Sequence, residues 1–324
     1  MGAALAWSMA AVALGFLIGV AVGQASTCAV TAAKEIVHHR RARLLAGFLV
    51  AGGVAGLLCL PLAWTVGMRA GLPPEAAISG ALLGGALLLA AGALVNDACL
   101  LGTLARVSQG EVRFLGVPIG LAIGYGVVTT AGFEPVALSP NLFGRPAAPA
   151  ILLVIASFGL VVAGWAALSR SGDGGSPGRW RLRTSMIVLG GAGALLFVLT
   201  PGWTYSEAVR QGVDELGSAT PMAHTLAAIL TGLATLAGAL TAGVASGSFR
   251  LERPAVGCVF RSILGGALMA IGAAYVPGGN DHLLLWSVPG GSVSGLVAYL
   301  VMSGAILIAV FVQHRVAGAH MIAA

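Results

Sequence analysis

Leu83 to Gln109 reads LGGALLLAAGALVNDACLLGTLARVSQ. It begins as an apolar helix of membrane length, stops at Asn96-Asp97, resumes at Cys99 and runs through Arg106 into a polar turn. A second copy, LGGALMAIGAAYVPGGNDHLLLWSV, spans Leu264 to Val288. In both, Gly-Gly-Ala-Leu leads to Asn-Asp and then leucines, and the second carries Pro277-Gly278-Gly279 inserted before its Asn280-Asp281. Such a break is costly in hydrocarbon unless the broken segment lines protein or water, because free backbone groups find no other partner there.

The rest of the chain explains why hydrocarbon is the relevant solvent. Of 324 residues, 58% are hydrophobic and 9% are charged, against about 25% charged in soluble domains. Charge this scarce cannot coat a soluble surface, so the expected fold is an all-α polytopic membrane protein. The 49 glycines agree, since helices in lipid pack closely through small residues. Tandem G-x-x-x-G spacings at Gly15, Gly19 and Gly23, and at Gly116, Gly120 and Gly124, read as packing faces.

At roughly 20 apolar residues per span, nine spans are expected, near 3–24, 44–67, 76–95, 114–131, 147–169, 185–203, 223–246, 256–276 and 292–313. Fourteen of the seventeen basic residues then fall on one side, leaving Arg69, Arg145 and Arg210 on the other. The positive-inside rule places the N-terminus outside and the C-terminus inside. The charge of +6 thus sets topology and gives no reason to expect a nucleic-acid partner. The Gly/Ser-rich stretch 169–184 reads as a cytoplasmic linker between membrane halves 1–168 and 185–324. The outer stretch YSEAVRQGVDELG predicts a short amphipathic helix or a solvated loop.

With nine spans, the two Asn-Asp breaks lie in segments of opposite direction, the signature of an inverted repeat. A fainter match pairs GVAVGQASTC, ending at Cys28, with GALTAGVASGS, ending at Ser248. The polar breaks near Cys28 and Cys99 predict re-entrant half-helices whose N-terminal amides face inward and favour an anion. They also suit the inner ends of ordinary spans. Asn96 or Asp97 is the expected N-cap of the helix from Asp97 to Val107, and Ser26 or Thr27 that of the helix from Thr27 to Val37. Asp97 and Asp281 could cap helices, couple to a cation or proton, or close the path electrostatically. Cys59 and Cys258 read as small core residues. Cys28 and Cys99, each beside a break, could donate to or exchange with a passing sulfur anion. No His/Glu pair at metal spacing and no nucleophile–base pair lies within a span, so neither an enzyme nor a metal or cofactor site is expected. No P-loop pattern points to ATP.

The stretch DACLLGTLARVSQGEVRFL resembles the YeeE/YedE family of membrane proteins, with its sulphur-transport domain, through Cys99, Gly102, Arg106 and Gly110. STCAVTAAKEI is similar to the family's first-half motif through Cys28, Ala32, Lys34 and Glu35. The resemblance implies an inner-membrane permease for a small inorganic sulfur anion such as thiosulfate. Its path would be lined by Cys28 and Cys99, with Asn96, Asp97, Lys34, Arg106, Ser248, Asn280, Asp281 and His282 as further path residues. Family members often carry a cysteine in the second-half glycine turn, where this chain reads Pro277-Gly278-Gly279-Asn280-Asp281-His282. Asn280, His282 or Ser248 could substitute as hydrogen-bond donors. The alternative is a non-transporting membrane partner of a cytoplasmic sulfur-carrier protein, docked on the basic inner loops.

Overall fold

A computed structural model describes residues 2–65, 72–131, 138–171, 178–200, 202–216 and 223–323. The first part runs through helices α1 (Gly2–Ala25), α2 (Ala29–His39), α3 (Arg43–Thr65), α4 (Gly80–Asn96), α5 (Leu100–Val107) and α6 (Gly116–Thr130). Helix α7 (Ala148–Ser171) follows. The second part holds α8 (Leu182–Leu199), α9 (Tyr205–Leu216), α10 (Ala223–Ala245), α11 (Val256–Ala274), α12 (Asn280–His282) and α13 (Val293–Ala323). A π-helical turn, Leu283–Ser287, continues α12. The strands β1 (Glu75–Ala76) and β2 (Leu138–Ser139) pair antiparallel in two-residue pieces.

The nine expected spans fall on α1, α3, α4, α6, α7, α8, α10, α11 and α13. Eight of them are long and apolar enough to cross a membrane, and α8 is apolar over the shorter stretch Leu182–Phe197. The chain is an all-α multi-pass membrane protein. Its α7 packs on α3 and leaves Leu152 and Phe158 exposed on its outer side, as a helix bathed by lipid should. Arg69 and 172–177 of the expected linker lie outside the described residues. The described end of that linker is held, because Arg179 donates to the carbonyls of Gly23 and Gln24 at the end of α1.

The order long, short, long, long, short, long in α1–α6 recurs in α8–α13, and the packing follows it. Helix α1 lies on α10 as α8 lies on α3; α6 lies on α11 as α13 lies on α4; α2 lies on α13 as α9 lies on α6. The two GGAL helices, α4 and α11, cross each other. At the crossing a methyl on Gly92 would meet the Gly265 carbonyl at 2.6 Å, and one on Gly265 would meet the Gly92 carbonyl at 2.8 Å. The contact is reciprocal because neither glycine carries a side chain to hold the two backbones apart. The weaker match between the segments ending at Cys28 and Ser248 does not follow this order. It joins the end of α1 to the end of α10, whereas the order places α8 opposite α1. Small residues recur at every close helix crossing, so their likeness reports packing rather than equivalent position.

The G-x-x-x-G faces pack as expected. Gly15, Gly19 and Gly23 of α1 seat on Thr231, Thr235 and Ala239 of α10, and Gly116, Gly120 and Gly124 of α6 seat on Ile263 and Ala267 of α11. At Gly19 and Gly120 a methyl group would strike the partner's backbone carbonyl, of Thr235 and Ile263 respectively. Close approach there requires glycine. The outer stretch forms a helix, α9, with Ser206 and Ala208 buried against its neighbours; its continuation 217–221 lies outside the described residues.

Candidate functional site

Among the described residues four short helices, α2, α5, α9 and α12, interrupt the membrane-length ones, and the starts of all four meet at the start of α5. Helix α4 ends where Asp97 takes the left-handed conformation, φ 64°. A bend at Ala98 and the extended Cys99 then turn the chain, and α5 begins after Cys99. Neither Asn96 nor Asp97 is therefore the N-cap of α5. A left-handed residue closes a helix, and the extended backbone that opens one comes two positions later, at Cys99. The same holds at the first break: Cys28 is extended and precedes α2, while Ser26, at φ 51°, belongs to the turn before it.

Both cysteines thus stand at helix N-termini. The Cys99 Sγ accepts from the Gly102 amide of its own helix at 3.4 Å. It also accepts from the amide of Ala29, the first residue of α2, at 3.3 Å. The Cys28 thiol contacts Cys99 directly. Both are free thiols and almost wholly buried, at 3% and 2% exposure. Gly102 makes room for them, since a methyl group there would lie 2.5 Å from the Cys28 Sγ. Two helix dipoles and their free amides point into one buried spot that holds two soft, polarisable sulfurs. Such a place stabilises negative charge.

Polar groups hold the α4–α5 break open. The Asn96 Nδ2 donates to the Ala98 carbonyl at 2.8 Å and to the Thr103 Oγ1 at 3.2 Å, and the Thr103 hydroxyl donates to the Cys99 carbonyl at 3.0 Å. Among the described residues, the buried Asn96 Oδ1 and Thr27 Oγ1 have no hydrogen-bond partner. Lys34 of α2 pairs with Asp97 at 2.5 Å and so ties α2 to the end of α4. Arg106 pairs with Glu111 at 2.7 Å, and the same carboxylate holds Arg113 at 3.5 Å. A cavity of about 370 Å³ opens beside α2, its polar lining supplied by Gln24, Ser26, Thr31, Lys34, Arg43 and Arg179 and its apolar lining by Leu44, Trp180 and Leu182.

The second part contributes differently. The Leu100 amide donates to the Asn280 Oδ1 at 3.2 Å, and the Tyr205 hydroxyl donates to the Leu100 carbonyl at 3.0 Å. Asn280 and Tyr205, the first residues of α12 and α9, therefore meet the start of α5. Asp281 is buried beside Gly279, with its Oδ1 unpartnered among the described residues. His282 turns aside: its Nδ1 lies 3.2 Å from the Ser287 Oγ and its ring sits edge-on to Phe197. Phe197 also packs on Trp203 and Trp286. Ser248 lies in the turn after α10, bonded to Ser246 and to the Gly243 carbonyl, and is not among the converging groups. Cys59 is buried within α3, and Cys258 is half-buried at the start of α11.

Sequence reasoning missed Thr103 and Tyr205. Thr103 sits one helical turn beyond Cys99, so the i, i+4 spacing could have flagged it. Tyr205 opens the amphipathic outer stretch, and nothing local marks it as reaching α5.

No curated protein matches the chain. The profile of a family described as sulphur transport matches residues 24–308, which takes in both cysteines of the site, all four short helices and about half of α13. The chain is a member of the sulphur-transport family of membrane proteins.

Proposed function

We propose that the protein is a permease for a small sulfur-containing anion of the thiosulfate kind, which passes the thiols of Cys28 and Cys99. The observation that carries this reading is the Cys99 sulfur, which takes amide hydrogens from the starts of two half-helices while contacting a second buried thiol. A divalent sulfur anion entering there would exchange its hydration for oriented amides and polarisable sulfur. Lys34 and Arg106, on the two half-helices, carry positive charge toward their C-terminal ends, and the cavity beside α2 offers a way out.

In this reading the protein lies in a bacterial inner membrane with its N-terminus outside and its C-terminus inside, as the basic loops favour. Segments 1–168 and 185–324 act as two halves joined by 169–184, and Asn280 stands where a second-half thiol would complete a relay.

Purified protein in proteoliposomes, given labelled thiosulfate, tests the assignment. Wild type should take up label, and Cys28→Ala with Cys99→Ala should reduce uptake to that of empty vesicles. Wild-type rates in the double variant would remove the cysteines from the path. Uptake seen only when a cytoplasmic sulfur-carrier protein is enclosed would favour the membrane-partner reading instead.

A further inference from the structure

The second part of the chain buries a carboxyl group close to the thiol pair and gives it no counter-charge. Asp281 is 2% exposed. Its Oδ1 has no hydrogen-bond partner among the described residues, and no ion pair to it is formed among them. Leu100 of α5, Ser206 of α9 and the Asp281 Oδ1 surround a single point above Gly279. The neighbouring residue Asn280 holds the amide of Leu100, which itself follows Cys99. One peptide unit and one side chain therefore separate the acid from the proposed anion path.

The groups that face Asp281 come from every element around it. Helix α9 presents Tyr205, Ser206 and Glu207, α6 presents Tyr125, and His282 follows on its own helix. Arg210, also on α9, is engaged elsewhere, forked onto Glu207 and paired with Asp214 at 3.1 Å. Remaining ionised here is costly for a carboxylate, and taking up a proton removes the cost. Intramembrane acids mark proton and ion pathways; the Ser206 hydroxyl and backbone amides bond to this carboxyl, but no cation pairs with it among the described residues. An anion moving inward against an inside-negative potential also needs a co-travelling cation, because the potential opposes each negative charge it carries.

We propose that Asp281 is the coupling site of the permease, loading a proton from the outer side and releasing it to the inner side with each anion that passes Cys99. The proton neutralises Asp281 while the anion occupies the adjacent thiol site, so the loaded state buries one negative charge fewer than the same anion beside an ionised Asp281. Its departure restores the carboxylate and expels the anion by like-charge repulsion. Each proton that enters leaves again, and no covalent bond changes. The inference rests on the transport reading above.

Two measurements test it. The first needs no transport: infrared difference spectra of the purified protein between alkaline and acid pH should show a carboxylic-acid carbonyl band that is missing from Asp281→Asn. Identical spectra overturn the proposal. The second uses proteoliposomes with a pH dye inside and the membrane potential clamped. With one proton per anion, a gradient of about one pH unit should accumulate thiosulfate about tenfold, and thiosulfate entry should acidify the lumen. Asp281→Asn should lose the accumulation and the acidification yet still exchange labelled for unlabelled thiosulfate, which also shows that it is folded. Thiosulfate entry without acidification in wild type overturns the coupling and leaves the transport reading intact. Accumulation driven by a sodium gradient at equal pH overturns the proton in favour of sodium. If no sulfur anion moves under any gradient, the transport reading fails, and the coupling fails with it.

Discussion

The side chain of Asn280 accepts a 3.2 Å hydrogen bond from the amide of Leu100, 180 positions earlier in the chain. That amide is one of the donors a helix start leaves without an intrahelical partner. In a buried break it must be met by something, and the second half of the chain meets it.

Asn280→Leu should therefore destabilise the protein by about 1–3 kcal/mol, the cost of a buried donor left unmade. Asn280→Asp keeps an acceptor oxygen at the same place and should lose less. Thermal unfolding in detergent compares the three proteins. A leucine variant as stable as wild type would show that the amide finds another partner.

Gly102→Ala changes neither thiol but places a methyl group 2.5 Å from the Cys28 Sγ, closer than atoms can sit. One of the two helix starts has to move. Thiosulfate uptake should fall at least tenfold, equivalent to about 1.4 kcal/mol, with unfolding temperature changed by only a few degrees. Unchanged uptake would mean that the spacing of the thiols is immaterial.

Glu75 is buried at the start of α13. Its Oε1 accepts from the Val293 amide at 2.8 Å, and its Oε2 from the Ser294 amide at 3.1 Å and the Ser294 hydroxyl at 2.9 Å. A carboxylate at a helix start meets free amides and the positive end of the dipole together. Glu75→Ala should cost about 2–3 kcal/mol, the scale of hydrogen bonds to a charged group. Equilibrium unfolding measures it, and a loss well under 1 kcal/mol would contradict the cap.

Glu207 gives a pH signature. Burial works against its charged form, but Arg210, forked onto it, outweighs burial and holds its carboxyl below the ordinary carboxylate value. The stabilisation is then complete above that ordinary value, about 4.3, and is lost as pH falls through the lowered one. Unfolding temperature should drop on the acid side in wild type and drop less steeply in Glu207→Gln. Parallel acid limbs in the two proteins would rule out this contribution.

The fold was largely legible because its signals are local. Membrane-length apolar runs gave the spans, and glycine spacing gave the faces of α1 and α6 that meet α10 and α11. Two expectations failed, each where a local likeness stood in for geometry. The caps were assigned to the polar residues Asn96 or Asp97 and Ser26 or Thr27, whose chemistry suits a cap, but backbone dihedrals decide where a helix opens, and both helices open after a cysteine. The segments ending at Cys28 and Ser248 looked alike because small residues serve every close crossing.

That this chain spans a membrane many times and breaks its helices at Cys28, Cys99 and Asn280 is written in its local residue pattern. Solvation enforces that much, since each apolar run and each polar break meets the bilayer on its own terms. Only the tertiary structure decided that the stretch Leu83–Gln109 bends back so that Cys99 touches Cys28 across 71 positions. It alone set Asn280 on the Leu100 amide, turned His282 toward Phe197, and left Ser248 at a distant turn. Those outcomes depend on how α4 crosses α11 and α1 crosses α10, and a crossing is set by the packing of two helices against each other, which no single stretch contains.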